Sequence, residues 1–238
     1  EGRVNFPFLD GIYAGAGILT ILNLMLIYYM ARTRNHPFRF SCLAAYFTLN
    51  MVLFYLINSR LNILIFLFVA ALLLFRMIEK IKGLFVSSLF TVPILLSSGF
   101  LLYQILTLPV FITILKRVDV QDIMTFNGRA FIWNNVISWI SEDQRGLFFG
   151  NGYKGHYFLD LISDVAKLWN AKEYHHMPLH STSFEILVNQ GIFGYGIFLV
   201  LAYRIFIYYR KKYRDGDPQG VFFAIIVFML FILQVDPY

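Results

Sequence analysis

The stretch IYAGAGILTILNLMLIYYM, residues 12–30, contains no charged side chain in 19 positions. A helix needs about 20 mostly apolar residues to cross the hydrocarbon core of a bilayer. The whole chain agrees, because 58% of its 238 residues are hydrophobic and 14% are charged, whereas a soluble domain has about 45–50% apolar and about 25% charged residues. The sequence therefore predicts an integral membrane protein. It excludes a soluble globular domain, a disordered chain and, with Cys42 as its single cysteine, a disulfide scaffold.

The apolar segments predict an all-α fold, a polytopic bundle of about six transmembrane helices. The predicted spans cover residues 12–30, 40–57, 61–78, 84–106, 184–209 and 221–235. Spans one to four fall in residues 1–115, a large loop in 116–182, and spans five and six in 183–238. The chain begins at Glu1, and its opening is typical of the interior of a protein, so we interpret the sequence as part of a longer one.

Basic residues cluster in alternate links between the predicted spans. Eleven of the twenty lie there: Arg32, Arg34, Arg39, Arg76, Lys80, Lys82, Arg204, Arg210, Lys211, Lys212 and Arg214. Cytoplasmic loops carry an excess of Lys and Arg, so these links are predicted to be cytoplasmic. The net charge of +6 is then mainly a topology signal and not a sign of nucleic acid binding. The loop at 116–182 and both ends of the chain are predicted to face outward.

The predicted outer loop differs in composition from the rest of the chain. Residues 116–180 hold seven of the fourteen acidic residues, four of the five His residues and all three Trp residues. Two sets of apolar residues follow the spacing of one helix face: Ile132, Val136, Trp139 and Ile140, then Leu161, Val165, Leu168 and Trp169. We interpret them as amphipathic helices that lie on the outer membrane surface, with Trp at the headgroup level. Long loops on a rigid scaffold commonly carry function, so the site is expected here.

The hexapeptide GNGYKG, residues 150–155, matches the G-x-G-x-x-G pattern of dinucleotide-binding proteins. That pattern requires a preceding strand and a βαβ unit, which a loop in an all-helical protein does not supply. Two interpretations remain open. The glycines allow the chain to reverse direction, or their backbone N–H groups line an anion site.

A metal site was considered at His175, His176 and His180. Their spacing would suit a helix, but Pro178 interrupts it and no cluster of acidic residues accompanies them. The sequence therefore predicts no metal and no other cofactor.

Arg60 and Arg129 are basic residues on the predicted outer side, where topology disfavours positive charge. Arg60 joins spans two and three, and an Arg costs about 2.5–3.5 kcal/mol at the centre of a membrane helix. It either extends to the headgroups or binds a phosphate through a bidentate pair of hydrogen bonds. Arg129 follows an Asn127-Gly128 turn and is predicted to open a helix, whose N-terminus favours anions. The alternative for Arg129 is an ordinary solvated side chain.

His180 immediately precedes the fifth predicted span, in the sequence LHSTSFEIL. Thr182 and Glu185 fit a capping box, so that Ser181 or Thr182 caps the helix and Glu185 reaches back to the cap. Histidine is the side chain best suited to acid–base chemistry near neutral pH. His180 is therefore either a general base or a structural residue at the membrane interface.

Taken in order, these motifs resemble those of the bacterial O-antigen ligase and polysaccharide polymerase family. The matching positions are Ser59-Arg60, Gly128-Arg129 with Trp133, Gly150 and Gly152, His180-Ser181, and Gly191 to Gly194. The resemblance extends over about residues 58–209, so the chain would be the C-terminal portion of such a protein. It implies a multi-pass, GT-C-like glycosyltransferase of the bacterial cytoplasmic (inner) membrane, with an active site that faces outward.

The resemblance also implies roles for single residues. Arg60 and Arg129 would bind the diphosphate of a polyprenyl-linked glycan donor, and His180 would activate the hydroxyl group of the acceptor. Gly150, Gly152 and Ser181 would belong to a substrate loop. The reaction would invert the anomeric carbon without a metal. The acceptor would be a second lipid-linked glycan or a lipid A core, membrane lipids would surround the protein, and a chain-length regulator would be a further partner.

Polymerases and ligases share all of these motifs. The distance of this sequence from a typical ligase favours a polymerase of O-antigen, capsule or exopolysaccharide repeat units. A non-enzymatic polysaccharide transporter or flippase is the other alternative. Transporters carry charges near the membrane midplane, whereas the polar outliers here lie at the predicted outer interface, which favours chemistry at the membrane surface.

Overall fold

The computed structural model describes residues 11–57, 59–94, 128–168 and 177–235. Nine α-helices lie within these ranges: α1 (Gly11–Arg32), α2 (Pro37–Ile57), α3 (Arg60–Leu74), α4 (Leu84–Leu89), α5 (Arg129–Glu142), α6 (Gln144–Phe149), α7 (Ser163–Leu168), α8 (Thr182–Arg214) and α9 (Val221–Ile232). The described residues contain no strand, which confirms the all-helical class for this part of the chain. Most of the fourth predicted span, Trp169, His175 and His176 lie outside the described residues.

Within the described part of the chain, three helices are long and apolar enough to cross a membrane: Ala14–Arg32, Pro37–Ile57 and Thr182–Arg214. They correspond to the first, second and fifth predicted spans. Helices α1 and α2 contain the first two predicted spans and extend beyond them by one to three residues, and α2 begins with Pro37, a residue favoured in the first turn of a helix. These long apolar helices support a membrane location.

The third and sixth predicted spans are shorter than the sequence suggested. Helix α3 has 15 residues and ends at Leu74 instead of continuing to residue 78, because Phe75 caps it and Arg76 takes a left-handed backbone with φ of 54°. Helix α9 has 12 residues and ends at Ile232. At about 1.5 Å per residue, these helices extend roughly 22 Å and 18 Å, less than the ~30 Å of hydrocarbon. A bundle of six complete spans therefore stays a prediction.

The described residues divide into two compact units. The first unit comprises the described residues within 11–88 and 203–232, and the second comprises the described residues within 89–202 and 233–235. In the first unit, α1 packs against α2, α3 and α9, and α9 also packs against α3. Aromatic pairs fill this core, among them Phe54 with Phe66 and Phe206 with Phe223, whose ring centroids are 5.6 and 5.2 Å apart.

One end of the first unit holds the turn that follows α8. Arg32, at the end of α1, donates hydrogen bonds to the backbone carbonyls of Gly216 and Asp217. Lys212 Nζ lies 2.7 Å from Asp217 Oδ2, and this hydrogen bond holds the pKa of the Asp217 carboxyl below its ordinary value. Arg210 Nη2 donates to the carbonyl of Glu79 over 2.5 Å. Three links that the charge pattern assigned to one side of the membrane therefore meet at one end of this unit.

The second unit is built around α5. Ile132, Val136 and Trp139 are buried in one cluster with Leu161, Ile162, Leu179 and Val188. The helix and its apolar face are present as predicted, but the interpretation that this face lies on the membrane surface was wrong, because other parts of the protein cover it. Trp133 is also fully buried. This close-packed cluster includes Leu179 and Val188, so it holds the segment that carries the candidate site.

Candidate active site

Arg129 opens α5, as the sequence predicted. Gly128 precedes the helix with φ of 82°, a left-handed conformation that glycine adopts without steric cost. The Arg129 side chain is only 7% exposed, and its Nη1 donates a hydrogen bond of 2.7 Å to the carbonyl oxygen of Val235. Arg129 is therefore not an ordinary solvated side chain, since its guanidinium is buried and oriented by the backbone of another segment.

His180 lies between two buried residues. Leu179 is fully buried and Ser181 is 1% exposed, while His180 itself is partly exposed. His180 has φ of 53°, a left-handed conformation in which histidine occurs more often than most residues. This geometry directs the chain from the core of the unit into α8, and the imidazole is carried at the turn.

Ser181 caps α8, which decides between the two predicted capping residues. Its Oγ accepts from the N–H of Phe184 at 3.4 Å, and its carbonyl accepts from the N–H of Glu185 at 2.9 Å. Glu185 reaches back as expected, but to the N–H of Leu179, at 3.0 Å, and not to the cap itself. Hydrogen bonds before and after His180 thus fix the backbone on which it sits.

Three residues after α9 connect Arg129 with the start of α8. We call residues 233–235 the strap. The carbonyl of Leu233 accepts from the N–H of Thr182 at 2.8 Å, and the carbonyl of Val235 accepts from Arg129. Since two residues extend at most about 7 Å, these two acceptors place the Arg129 guanidinium and the turn that carries His180 in one neighbourhood.

The middle residue of the strap is Gln234, which is 3% exposed. Its Oε1 accepts a hydrogen bond of 2.8 Å from Ser183 Oγ, and the hydroxyl of Tyr195 lies 3.4 Å from the same Oγ. A buried polar group that is left unsatisfied costs about 1–3 kcal/mol. The Gln234–Ser183 pair therefore fixes the strap against the first turn of α8.

Helix α8 breaks at Gly191, whose φ of 68° and ψ of −173° are not helical. This backbone conformation is essentially restricted to glycine. Residues 182–190 form a short helix before the break. Residues 192–214 extend roughly 34 Å at about 1.5 Å per residue, long enough to cross the ~30 Å hydrocarbon core without the first segment.

The glycine loop, residues 150–155, packs onto this break. A helix end leaves backbone carbonyls without helical partners. The carbonyl of Val188 accepts from the N–H of Asn151, and that of Asn189 accepts from the N–H of Gly152, both at 2.9 Å. A Cβ atom at Gly191 would overlap the carbonyl of Phe148 and lie 2.7 Å from Gly150 N. The two glycine motifs of the sequence, at 150–155 and 191–194, are thus halves of one contact.

This contact determines whether backbone N–H groups of the glycine loop can bind an anion. The N–H groups of Gly150, Asn151, Gly152 and Gly155 all donate to backbone carbonyls, at distances between 2.7 and 3.0 Å. An anion site needs N–H groups that point to the ligand. In this structure these donors already bind backbone carbonyls of the protein, which agrees with the interpretation of the glycines as a turn that lets the chain reverse direction.

Arg60 opens α3, directly after Ser59, a buried residue whose Oγ accepts from Asn62 at 2.9 Å. It belongs to the first unit, whereas Arg129, the glycine loop, His180 and Ser181 belong to the second. Its role in binding a diphosphate stays a prediction. Among the described residues, no group of three or more His, Cys, Asp or Glu side chains is arranged to hold a metal ion.

Three contributors to the site were missed by the sequence reasoning. Gln234 was counted as part of an apolar span, and Asn189 and His156 received no role. His156 is 5% exposed and contacts Asn189 through its ring. The hydrogen bonds of these residues connect positions 33 or more apart in the chain, which neither spacing nor hydropathy can show.

The helices and the site define the class of the protein. It is a membrane protein in which one short segment, the strap, binds both a buried guanidinium and the start of a long apolar helix, which a histidine precedes. The chain belongs to the O-antigen ligase family, whose model, described as O-antigen ligase, matches residues 43–199. The matched range includes Arg60, Arg129, the glycine loop, His180 and Gly191, and stops before the strap. No curated protein and no solved structure matches the chain. Membership of the family indicates a membrane role of the glycan ligase or polymerase type, with lipid-linked glycans as substrates.

Proposed function

We propose that this chain is the catalytic portion of a glycosyltransferase that joins polyprenyl-diphosphate-linked oligosaccharide repeat units at the outer face of the cytoplasmic membrane. One observation carries the proposal, the strap that gathers the buried Arg129 and the turn bearing His180. A fixed cation in the same neighbourhood as an imidazole suits a reaction in which a hydroxyl group loses a proton and a diphosphate leaves.

In the proposed reaction, His180 removes the proton from a hydroxyl group of the acceptor sugar. The oxygen attacks the anomeric carbon of the donor from the face opposite the leaving group, so that a new glycosidic bond forms with inversion. The bond between the anomeric carbon and the diphosphate oxygen breaks. The diphosphate keeps the electron pair, and Arg129 neutralises its developing charge. The proposal requires neither a metal nor another cofactor.

The ligase is a second candidate because the family is described as O-antigen ligase. Its donor and its bond-forming step are the same, but the acceptor is a lipid A core. The same residues serve both reactions, so the distinction depends on acceptor recognition and not on His180 or Arg129. The two candidates therefore differ in the envelope glycans that remain when the gene is lost.

The glycan profile of a strain that lacks the gene tests the proposal. For the polymerase we expect lipid A core, or another terminal acceptor, capped with single repeat units. For the ligase we expect lipid-linked polymer that is never attached. Loss of all repeat units from the outer face, with accumulation at the inner face, would instead indicate a transporter. An unchanged profile would contradict every envelope-glycan function proposed here.

Complementation with Arg129→Lys tests the diphosphate site. We expect polymer formation to fall by roughly 100-fold, because lysine cannot supply the two parallel hydrogen bonds of a guanidinium to a phosphate. Arg145→Lys is the matched control, since Arg145 is exposed on α6 in the same unit and should support normal polymer. The yield and thermal stability of each purified variant should be measured alongside. Normal polymer from the Arg129→Lys variant would remove Arg129 from the site.

A further inference from the structure

His156 is a buried histidine that the proposed reaction does not use. It lies in the short 3-10 turn Gly155–Tyr157, directly after the glycine loop, and is 5% exposed. Its ring packs edge to face against Tyr157, with centroids 4.3 Å apart. A polar ring buried to this degree needs a specific partner, and that partner is Asn189.

The contacts with Asn189 determine the orientation of the His156 ring. Oδ1 of Asn189 lies 3.2 Å from the backbone N of His156 and 3.0 Å from its Nδ1. An amide oxygen only accepts hydrogen bonds, so Nδ1 is a donor and carries a hydrogen. In a neutral ring, Nε2 is then the acceptor. This atom is buried and has no hydrogen-bond partner within the described residues.

Asn189 connects the end of the 182–190 helix to the glycine loop. It lies in the last turn before the break at Gly191, and its carbonyl also accepts from Gly152 N–H. The segment 182–190 spans less than three turns, and isolated helices of this length are unstable in water. Contacts with the rest of the unit must therefore hold it. Val188 is buried in the apolar cluster, the strap binds Thr182 at one end, and the glycine loop and His156 bind Asn189 at the other.

We infer that His156 and Asn189 form a latch that positions the 182–190 helix, and with it the turn that carries His180. The inference rests on the proposed function, in which His180 is the base. His156 acts through Asn189 and does not itself touch the substrate. Because a misplacement of about 1 Å can cost roughly 100-fold in rate, we expect loss of the latch to lower kcat by about 10- to 100-fold, with KM changed less than about threefold.

Three substitutions of His156, made in the full-length protein in lipid nanodiscs, test the latch. His156→Ala removes the donor to Asn189 and should lower kcat. His156→Asn keeps an N–H donor at the position of Nδ1 and should restore kcat to within about threefold of the wild type. His156→Gln carries its amide one bond further out, near the position of Nε2, and should not restore it. Equal loss in all three variants, or normal kcat in His156→Ala, would overturn the latch.

Hydrogen exchange separates the latch from the proposed chemistry. In His156→Ala and in Asn189→Ala, the amides of residues 182–190 and of Asn151 and Gly152 should exchange at least about tenfold faster, since local opening raises exchange. In His156→Asn they should exchange as in the wild type. If His180→Asn retains full turnover while this exchange pattern holds, the base is wrong and the latch stands. If exchange does not change in His156→Ala, the latch is wrong, whatever the activity of the His180 variant.

Discussion

Replacing His180 with asparagine will abolish polymer formation while the protein still inserts and folds. Asparagine is the sharper test than alanine because His180 has φ of 53°. A left-handed backbone costs most residues about 1–2 kcal/mol but is tolerated by asparagine. Alanine would combine loss of the imidazole with this strain, whereas asparagine removes the imidazole and leaves the turn intact.

The expected loss in kcat is at least 100-fold, since a positioned general base contributes about 10²–10⁴-fold. Turnover should be measured in nanodiscs with a polyprenyl-diphosphate-linked donor, and polymer length on gels from complemented cells. His36→Ala serves as the control because His36 is exposed in the link between α1 and α2 and should leave both readouts unchanged. If His180→Asn supports polymer of normal length and rate, His180 is a structural residue.

Replacing Gly191 with alanine will strongly destabilise the second unit. Alanine would have to adopt φ of 68° and ψ of −173°, and strain of this kind costs about 1–3 kcal/mol. Its Cβ would also overlap the carbonyl of Phe148, and overpacking of a tight contact adds about 1–3 kcal/mol. The total is a large part of the stability of an ordinary domain.

Gly196→Ala is the matched control for this substitution. Gly196 lies five residues further along α8, and a Cβ there would meet no atom within 4 Å. Alanine should stabilise the helix at this position by up to about 1 kcal/mol. The unfolding temperature and the yield of detergent-purified protein should therefore fall for Gly191→Ala. For Gly196→Ala both should stay the same or rise. Equal unfolding temperatures for the two variants would show that the stability of the protein does not depend on a glycine at position 191.

Hydropathy and charge anticipated the helices more successfully than their surroundings. The long apolar runs of α1 and α2 are local features, and Arg129 could be placed at the start of α5 because a glycine turn precedes it. The same periodicity identified the apolar face of α5 but not what covers it. Lipid and protein interior are equally apolar, so the pattern of Ile132, Val136 and Trp139 could not distinguish them.

The candidate site shows a similar division. His180 and Arg129 could be selected from the sequence because a charged or titratable group near a membrane needs a reason. Their supports could not. The strap lies about 50 residues beyond the turn it holds, within a segment read as an apolar span, and outside the range of the family match. Two glycine motifs that looked independent, at 150–155 and 191–194, turned out to be one contact, because only the fold brings them together.

The strap has a consequence for how the protein is made. Arg129 and Thr182 both depend on carbonyl groups from residues 233–235, which leave the ribosome after every helix described here. While the nascent chain ends before residue 233, the buried guanidinium lacks this acceptor and the start of α8 lacks its tie. The two hydrogen bonds that the strap accepts from Arg129 and Thr182 can therefore form only after α9 has been synthesised.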